Sequence, residues 1–182
     1  MGLIANAKKL LVFIEWVVPF LCIILAAACG HKSPLNLDYN SFDQRPGRGW
    51  RQLAEKGQFL EAAELIDEYI AKHKDLDMSQ RPNLNFHAAQ MYAFADDYKT
   101  AIDRLNNSTY AFEPPELPLR WNAYVNATIA FLKKDIDRLK ECRKEIAEGP
   151  TFEGKKANLD VVDRLIKYFD EPYSKAYGTR RE

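Results

Sequence analysis

Residues 53–62 read Leu-Ala-Glu-Lys-Gly-Gln-Phe-Leu-Glu-Ala, and this stretch decides the fold class. Gly57 separates two helical patterns, because glycine adopts the backbone angles of a tight turn without steric cost. An aromatic residue, Phe59, follows two positions later, and the small Ala62 comes three positions after that. The stretch therefore predicts the end of one helix, a turn, and a second helix that approaches the first closely.

The same pattern recurs twice further along the chain. Residues 92–101 read Tyr-Ala-Phe-Ala-Asp-Asp-Tyr-Lys-Thr-Ala, which places Asp96 at the turn. Residues 130–139 repeat the pattern more loosely, with Lys134 at that position. The copies begin 39 and then 38 positions apart. A period of this size is typical of chains that stack one supersecondary unit on the next.

Apolar residues between these turns recur at the spacing of a single helix face. Long alternating patterns, which would indicate strands, do not occur, and Pro82, Pro114 and Pro150 separate the helical stretches. The sequence therefore predicts an all-α fold. The four apolar stripes are Leu60, Ala63, Ile66 and Ile70; Phe86, Ala89 and Ala93; Leu132, Ile136, Leu139, Cys142 and Ile146; and Val161, Leu165, Ile166 and Phe169.

The glycine, the aromatic residue and the alanine of residues 57–62 resemble those of the tetratricopeptide repeat. The resemblance covers residues 46–148 and weakens along the chain, since Lys134, Ile136 and Leu139 replace the three residues in the third copy. It implies a solenoid of about three αα-hairpins with a capping helix over residues 158–168. The period is longer than the about 34 residues of that family. A plain helical bundle is the alternative.

The N-terminus has the parts of an export signal. Lys8 and Lys9 precede an apolar stretch over residues 10–29, in which Glu15 shortens the uncharged run to 14 residues. A membrane span needs roughly 20 apolar residues. Residues 25–29 read Leu-Ala-Ala-Ala-Cys and resemble the lipobox of bacterial lipoproteins. The resemblance implies that Cys29 is acylated; the alternatives are an uncleaved anchor helix and ordinary cleavage after the alanines.

The chain is therefore predicted to have three parts: a signal peptide or membrane anchor over residues 1–29, a polar tether over residues 30–48, and a helical domain over residues 49–182. The resemblance to lipoproteins implies a domain attached to a membrane of the bacterial cell envelope and facing the periplasm. Gly30, rather than the Asp that retains lipoproteins in the inner membrane, follows the cysteine, which favours the outer membrane.

Composition, charge and motifs argue against several classes of function. Lys and Arg together number 26, as do Asp and Glu, so the chain lacks the basic excess of a nucleic-acid binder. No metal-ligand spacing, nucleophile motif or phosphate-binding glycine loop occurs in the sequence. We expect no metal, no cofactor and no enzymatic activity.

The resemblance to tetratricopeptide proteins implies that the first helices of the hairpins form a concave ligand groove. Aromatic rings on this face would supply contact area, and amides would satisfy a peptide backbone. We predict a non-enzymatic adaptor for a protein or peptide; the alternatives are a small envelope hydrolase with a carboxylate pair and a structural protein that dimerises. The alternative role of the rings is to fill the space between repeats. The candidate groove residues are Arg51, Asn83, Phe86, His87, Gln90, Trp121, Tyr124 and Thr128.

Overall fold

The computed structural model describes residues 33–178 and contains no strand in that range, only an isolated bridge between Phe152 and Lys155. The all-α prediction is therefore confirmed for these residues. The predicted anchor and Cys29 lie outside them. Of the helices between residues 33 and 178, none has the length and apolarity of a membrane span.

The helices follow one another in this order. A 3₁₀ turn (Pro34–Asn36) and a π-helical turn (Asn40–Gln44) precede α1 (Arg51–Ala54), α2 (Phe59–Lys72), α3 (Gln80–Phe94), α4 (Tyr98–Asn106), α5 (Trp121–Leu132), α6 (Ile136–Glu148), α7 (Leu159–Lys167) and α8 (Tyr173–Gly178).

The three repeated turns share one backbone geometry. Gly57, Asp96 and Lys134 have φ angles of 75°, 61° and 58°. The amide that follows each of them donates to the carbonyl five positions earlier, at distances of 2.9, 2.9 and 2.8 Å. Such a bond satisfies one of the carbonyls that a helix leaves unpaired at its C-terminus. The repeated pattern thus marks three equivalent turns, even where Asp or Lys replaces the glycine.

These turns reverse the chain, so that successive helices run in opposite directions. α2 packs against α3, α3 against α4, and α5 against α6. The tight turns (residues 55–58, 95–97 and 133–135) therefore lie at one end of the domain, which we call the turn end. The longer connections (residues 73–79, 107–120 and 149–158) lie at the opposite end, which we call the loop end.

Contacts between neighbouring hairpins are consistent with this division. At the turn end, the rings of Phe59 and Phe94 stack with their centroids 5.0 Å apart. At the loop end, Gly149 lies against the side chain of Arg120, which joins the connection after α6 to the one before α5. The two ends consequently present different residues to solvent.

Residues 33–48 belong to the folded domain, although the sequence predicted a polar tether there. Phe42 is fully buried, and its ring stacks on Tyr69 of α2 at a centroid distance of 3.7 Å. The Tyr69 hydroxyl donates to the Leu37 carbonyl at 3.0 Å. A Cβ at Gly49 would stand 2.0 Å from the Phe42 carbonyl oxygen, so the chain passes itself closely there. Within the predicted tether of residues 30–48, most residues from 33 onward are exposed, but the buried Ser41, Phe42 and Asp43 attach the segment to the hairpins.

The C-terminal helix α8 folds back over the hairpins. Tyr173 is fully buried, and its ring packs against Phe94 of α3 at 5.3 Å and Phe131 of α5 at 6.1 Å. Its amide donates to the Tyr98 hydroxyl at 3.1 Å. Helix α7 packs on α5 and α6, as a closing helix would. Both termini of the described chain are thus fixed to the hairpins by buried aromatic residues.

We expect Phe42→Ala to lower the free energy of unfolding by about 3–5 kcal/mol, because it leaves a cavity against Tyr69. Urea denaturation of the full chain, followed by circular dichroism, measures the loss. Phe112→Ala is the matched control, since Phe112 is 93% exposed, and its effect should stay within about 0.5 kcal/mol. Equal stability of the two variants would show that residues 33–48 do not pack as described.

Candidate functional site

The predicted groove residues lie on α1, α3 and α5, the first helices of the three hairpins, and we call the surface that these helices form the first-helix face. Its members differ in exposure. Arg51, Asn83, His87 and Trp121 are partly buried. The other four, Phe86, Gln90, Tyr124 and Thr128, are buried. The face is therefore closely packed rather than open along its length.

Aromatic rings in the middle of this face connect α3 to α5. Phe86 packs against Trp121 at 5.2 Å and against Tyr124 at 5.1 Å. The indole N–H of Trp121 donates to the Ser108 carbonyl at 2.7 Å, and the Thr128 hydroxyl donates to the Tyr124 carbonyl at 3.2 Å. These rings fill the space between neighbouring hairpins, which was the alternative role for them.

The N-terminal segment covers one part of the face through a buried carboxylate, Asp43, which has no exposed surface. Asp43 accepts hydrogen bonds from Trp50 Nε1 at 2.9 Å and Asn83 Nδ2 at 3.2 Å. His87 Nδ1 lies 2.8 Å from the same carboxylate, and Gln44 Nε2 lies 2.5 Å from it. Two predicted groove residues, Asn83 and His87, thus bind the protein's own carboxylate.

A third predicted residue, Arg51, completes this cluster. Its Nε donates to the backbone carbonyl of Asp43 at 2.5 Å, and its guanidinium lies 4.4 Å from the centroid of the Trp50 ring. The sequence pattern did not indicate Asp43, because this residue lies in a polar segment close to Gly47 and Gly49 and belongs to no recognisable motif. The only local signal is the neighbouring Phe42, an aromatic residue that a solvated tether would not need.

The cluster holds Asp43 in its charged form. Burial raises the pKa of Asp43, but the hydrogen bond and charge of His87 oppose this effect, together with the hydrogen bond from Trp50 and the charge of Arg51. The net result is a pKa below the ordinary value for an aspartate. A buried carboxylate needs such partners, because leaving it without them would cost several kcal/mol.

Helix α8 covers the other part of the face. The Tyr177 ring packs edge-on against Phe94 at 5.8 Å and stacks on Tyr173 at 5.2 Å. The hydroxyls of Tyr124 and Tyr177 lie 3.5 Å apart. The expected open groove is therefore occupied by the chain itself: by the segment around Asp43 at Asn83 and His87, and by α8 at Phe94 and Tyr124.

Two chemically reactive side chains in the described residues, Cys142 and Asp43, are shielded or hydrogen-bonded. Cys142 is fully buried, and burial raises its pKa to about 11, so its thiol stays protonated at neutral pH. Asp43 is bound by hydrogen-bond donors, not by the second carboxylate that the hydrolase alternative needs. Within residues 33–178, no group of three or more metal-ligating side chains is assembled.

Comparisons of the chain with protein-family models, with curated proteins and with solved structures give no match.

The lowered pKa of Asp43 makes stability depend on pH in acid. A depressed folded-state pKa contributes stability that is present above the unfolded value, about 3.9 for an aspartate, and is lost as the pH falls through the folded value. We expect Asp43→Asn to lose roughly 2–3 kcal/mol at neutral pH, since hydrogen bonds to a charged group are weakened. The stability of the variant should also fall less than that of the wild type as the pH is lowered below about 4. Urea denaturation at a series of pH values measures both effects.

Asp137→Asn is the control for that experiment, because Asp137 is exposed on α6. It should change stability by less than about 1 kcal/mol, the range of a helix-dipole effect. An Asp43→Asn variant that kept both the neutral-pH stability and the acid dependence of the wild type would contradict the assigned cluster.

Proposed function

We propose that the protein is a non-enzymatic binding protein of the bacterial cell envelope, anchored by its N-terminus, that holds a protein or peptide segment on the first-helix face. In this proposal the hairpins are tetratricopeptide-like. The observation that carries it is that this face already holds a short segment, α8, in the way a ligand would be held.

Three properties of α8 support its treatment as an internal ligand. It is six residues long, too short to be a stable helix alone, so its structure depends on the face beneath it. It is attached through Tyr173 and Tyr177, which are aromatic anchors of the kind that dominate peptide interfaces. Lastly, it follows the three hairpins in the chain, so its release would leave the backbone hydrogen bonds of the three turns in place.

These contacts define the partner's chemistry. A partner that replaces α8 needs two large aromatic or apolar side chains four positions apart, the spacing of Tyr173 and Tyr177 on one helix face. It needs no particular charge, because the covered surface is formed by Phe94, Tyr124 and Phe131. We therefore propose a short amphipathic helix as the ligand, bound in the helix-in-groove mode.

A peptide with the sequence of residues 169–182 should bind the full chain once the attached α8 is weakened. We expect Tyr177→Ala to bind the labelled peptide about tenfold more tightly than the wild type, whose own α8 competes at a high effective concentration. Fluorescence anisotropy measures the two affinities. A chain that ends at residue 170 should bind the peptide more tightly still.

Ser174→Ala is the matched control, since Ser174 lies on the exposed side of α8, and it should behave like the wild type. Circular dichroism verifies that each variant is folded. If folded Tyr177→Ala and the shortened chain both failed to bind the peptide, the first-helix face would not be an acceptor and the proposal would fail.

The anchoring part of the proposal has its own test. In a bacterial host that processes lipoproteins, the mature N-terminus should be an acylated Cys29, because small residues precede it and its thiol is the acceptor. Mass spectrometry of the purified chain identifies this modification, and Cys29→Ser should abolish it. A wild-type chain that retains residues 1–28, or that begins with an unmodified residue, would overturn the lipid anchor.

A further inference from the structure

The loop end carries most of the exposed large apolar side chains in residues 33–178. Met78 is 83% exposed, Phe112 is 93% exposed and Phe152 is 50% exposed. Each stands on a different connection of the loop end: residues 73–79, 107–120 and 149–158. The fourth such residue in the described range, Leu60, is 45% exposed and lies at the turn end. Exposed apolar side chains grouped on one surface indicate contact with a protein or a membrane.

A shallow depression joins two of these connections. It has a volume of about 280 Å³ and lies between residues 76–82 and residues 107–111. Met78 contributes to its wall, as do Leu76, Pro82 and Tyr110. The depression thus joins the connection that carries Met78 to the one that carries Phe112.

The N-terminal segment enters the domain at the same end. His73 Nε2, just after α2, lies 3.0 Å from the Leu35 carbonyl. The Lys72 ammonium donates to the Asn36 side chain. Both contacts place the first described residues beside the connection that carries Met78.

The chain length between this point and the predicted anchor is short. Cys29 precedes Ser33 by four positions. Four residues span at most about 14 Å, even when fully extended. An acyl chain on Cys29 would therefore keep Ser33, beside the connection that carries Met78, within that distance of the bilayer.

From these observations we propose that the loop end is a membrane-docking surface, on which Met78, Phe112 and Phe152 enter the interfacial region of the bilayer. The inference rests on the proposed anchoring of the N-terminus. It adds a second, non-covalent attachment that fixes the orientation of the domain, as is usual where a lipid and a protein surface act together.

The charges at this end favour an apolar rather than an electrostatic attachment. The three connections carry four Lys or Arg residues and five Asp or Glu residues. Anionic lipids attract basic clusters, and this surface has no basic excess with which to bind them. Docking should therefore depend little on salt or on anionic lipid.

Photo-crosslinking of the full chain in phosphatidylcholine vesicles tests the docking surface. The photoreactive amino acid p-benzoylphenylalanine replaces Met78, Phe112 or Phe152, one position at a time. We expect lipid adducts, identified by mass spectrometry, to form several times more often at these positions than at Leu60, the control at the turn end. The yields should be unchanged when part of the lipid is phosphatidylglycerol.

Other outcomes would overturn the inference. Lipid adducts that are equally rare at all four positions would show that the loop end does not touch the bilayer. Crosslinks between two copies, or to another protein in native membranes, would assign the surface to a protein interface instead.

The modification of Cys29, measured on the same samples, separates this inference from the proposed anchor. Acylated Cys29 without loop-end adducts would refute docking and leave the anchor intact. Loop-end adducts with unmodified Cys29 would support docking and refute the lipid anchor. Peptide binding to the first-helix face does not depend on either result.

Discussion

The structure depends on a backbone constraint at three tight turns. Gly57, Asp96 and Lys134 each adopt a left-handed conformation, and the next amide closes the same hydrogen bond to the preceding helix. This geometry ends one helix and reverses the chain within about three residues. Because all three turns reverse it in the same manner, they separate a turn end from a loop end. The position of the loop-end surface follows from that separation.

Stacked hairpins leave an apolar face that neither of their helices can cover. Here the chain covers it with the segments that precede and follow the hairpins, one attached through Phe42 and Asp43 and the other through Tyr173. The two attachments differ in chemistry. The first contains a buried charge whose partners must be positioned accurately, whereas the second combines ring contacts with a few hydrogen bonds and buries no charge. The aromatic attachment is therefore the one that a foreign segment can replace more readily.

Local sequence predicted the helices and their turns because both depend on nearby residues. The recurring pattern of residues 53–62 indicated the turn even at Lys134, where the side chain alone favours no such conformation. The covering of the first-helix face could not be predicted in this way. Asp43 meets Asn83 and His87 across about 40 positions of chain, and Tyr173 meets Tyr98 across 75. Neither contact leaves a periodic signal, so the same residues that suit a ligand groove also suit burial under another segment.

The two proposed surfaces are compatible because the attachment of α8 begins at the turn end, opposite the loop end that is proposed to dock. The Lys134 ammonium donates hydrogen bonds to the carbonyls of residues 169 and 171, which lead into α8. The Tyr173 amide donates to the Tyr98 hydroxyl. Lys134 lies in one turn-end connection, and Tyr98 directly follows another. The residues proposed to dock on the membrane lie on the loop end. A domain oriented with its loop end on a bilayer would therefore present the beginning of α8 to the aqueous side, where a soluble partner can reach it. Reversing that orientation would press the replaceable helix towards the lipid, and for a chain anchored at Cys29 the short link of three residues between Cys29 and Ser33 would oppose such a rotation.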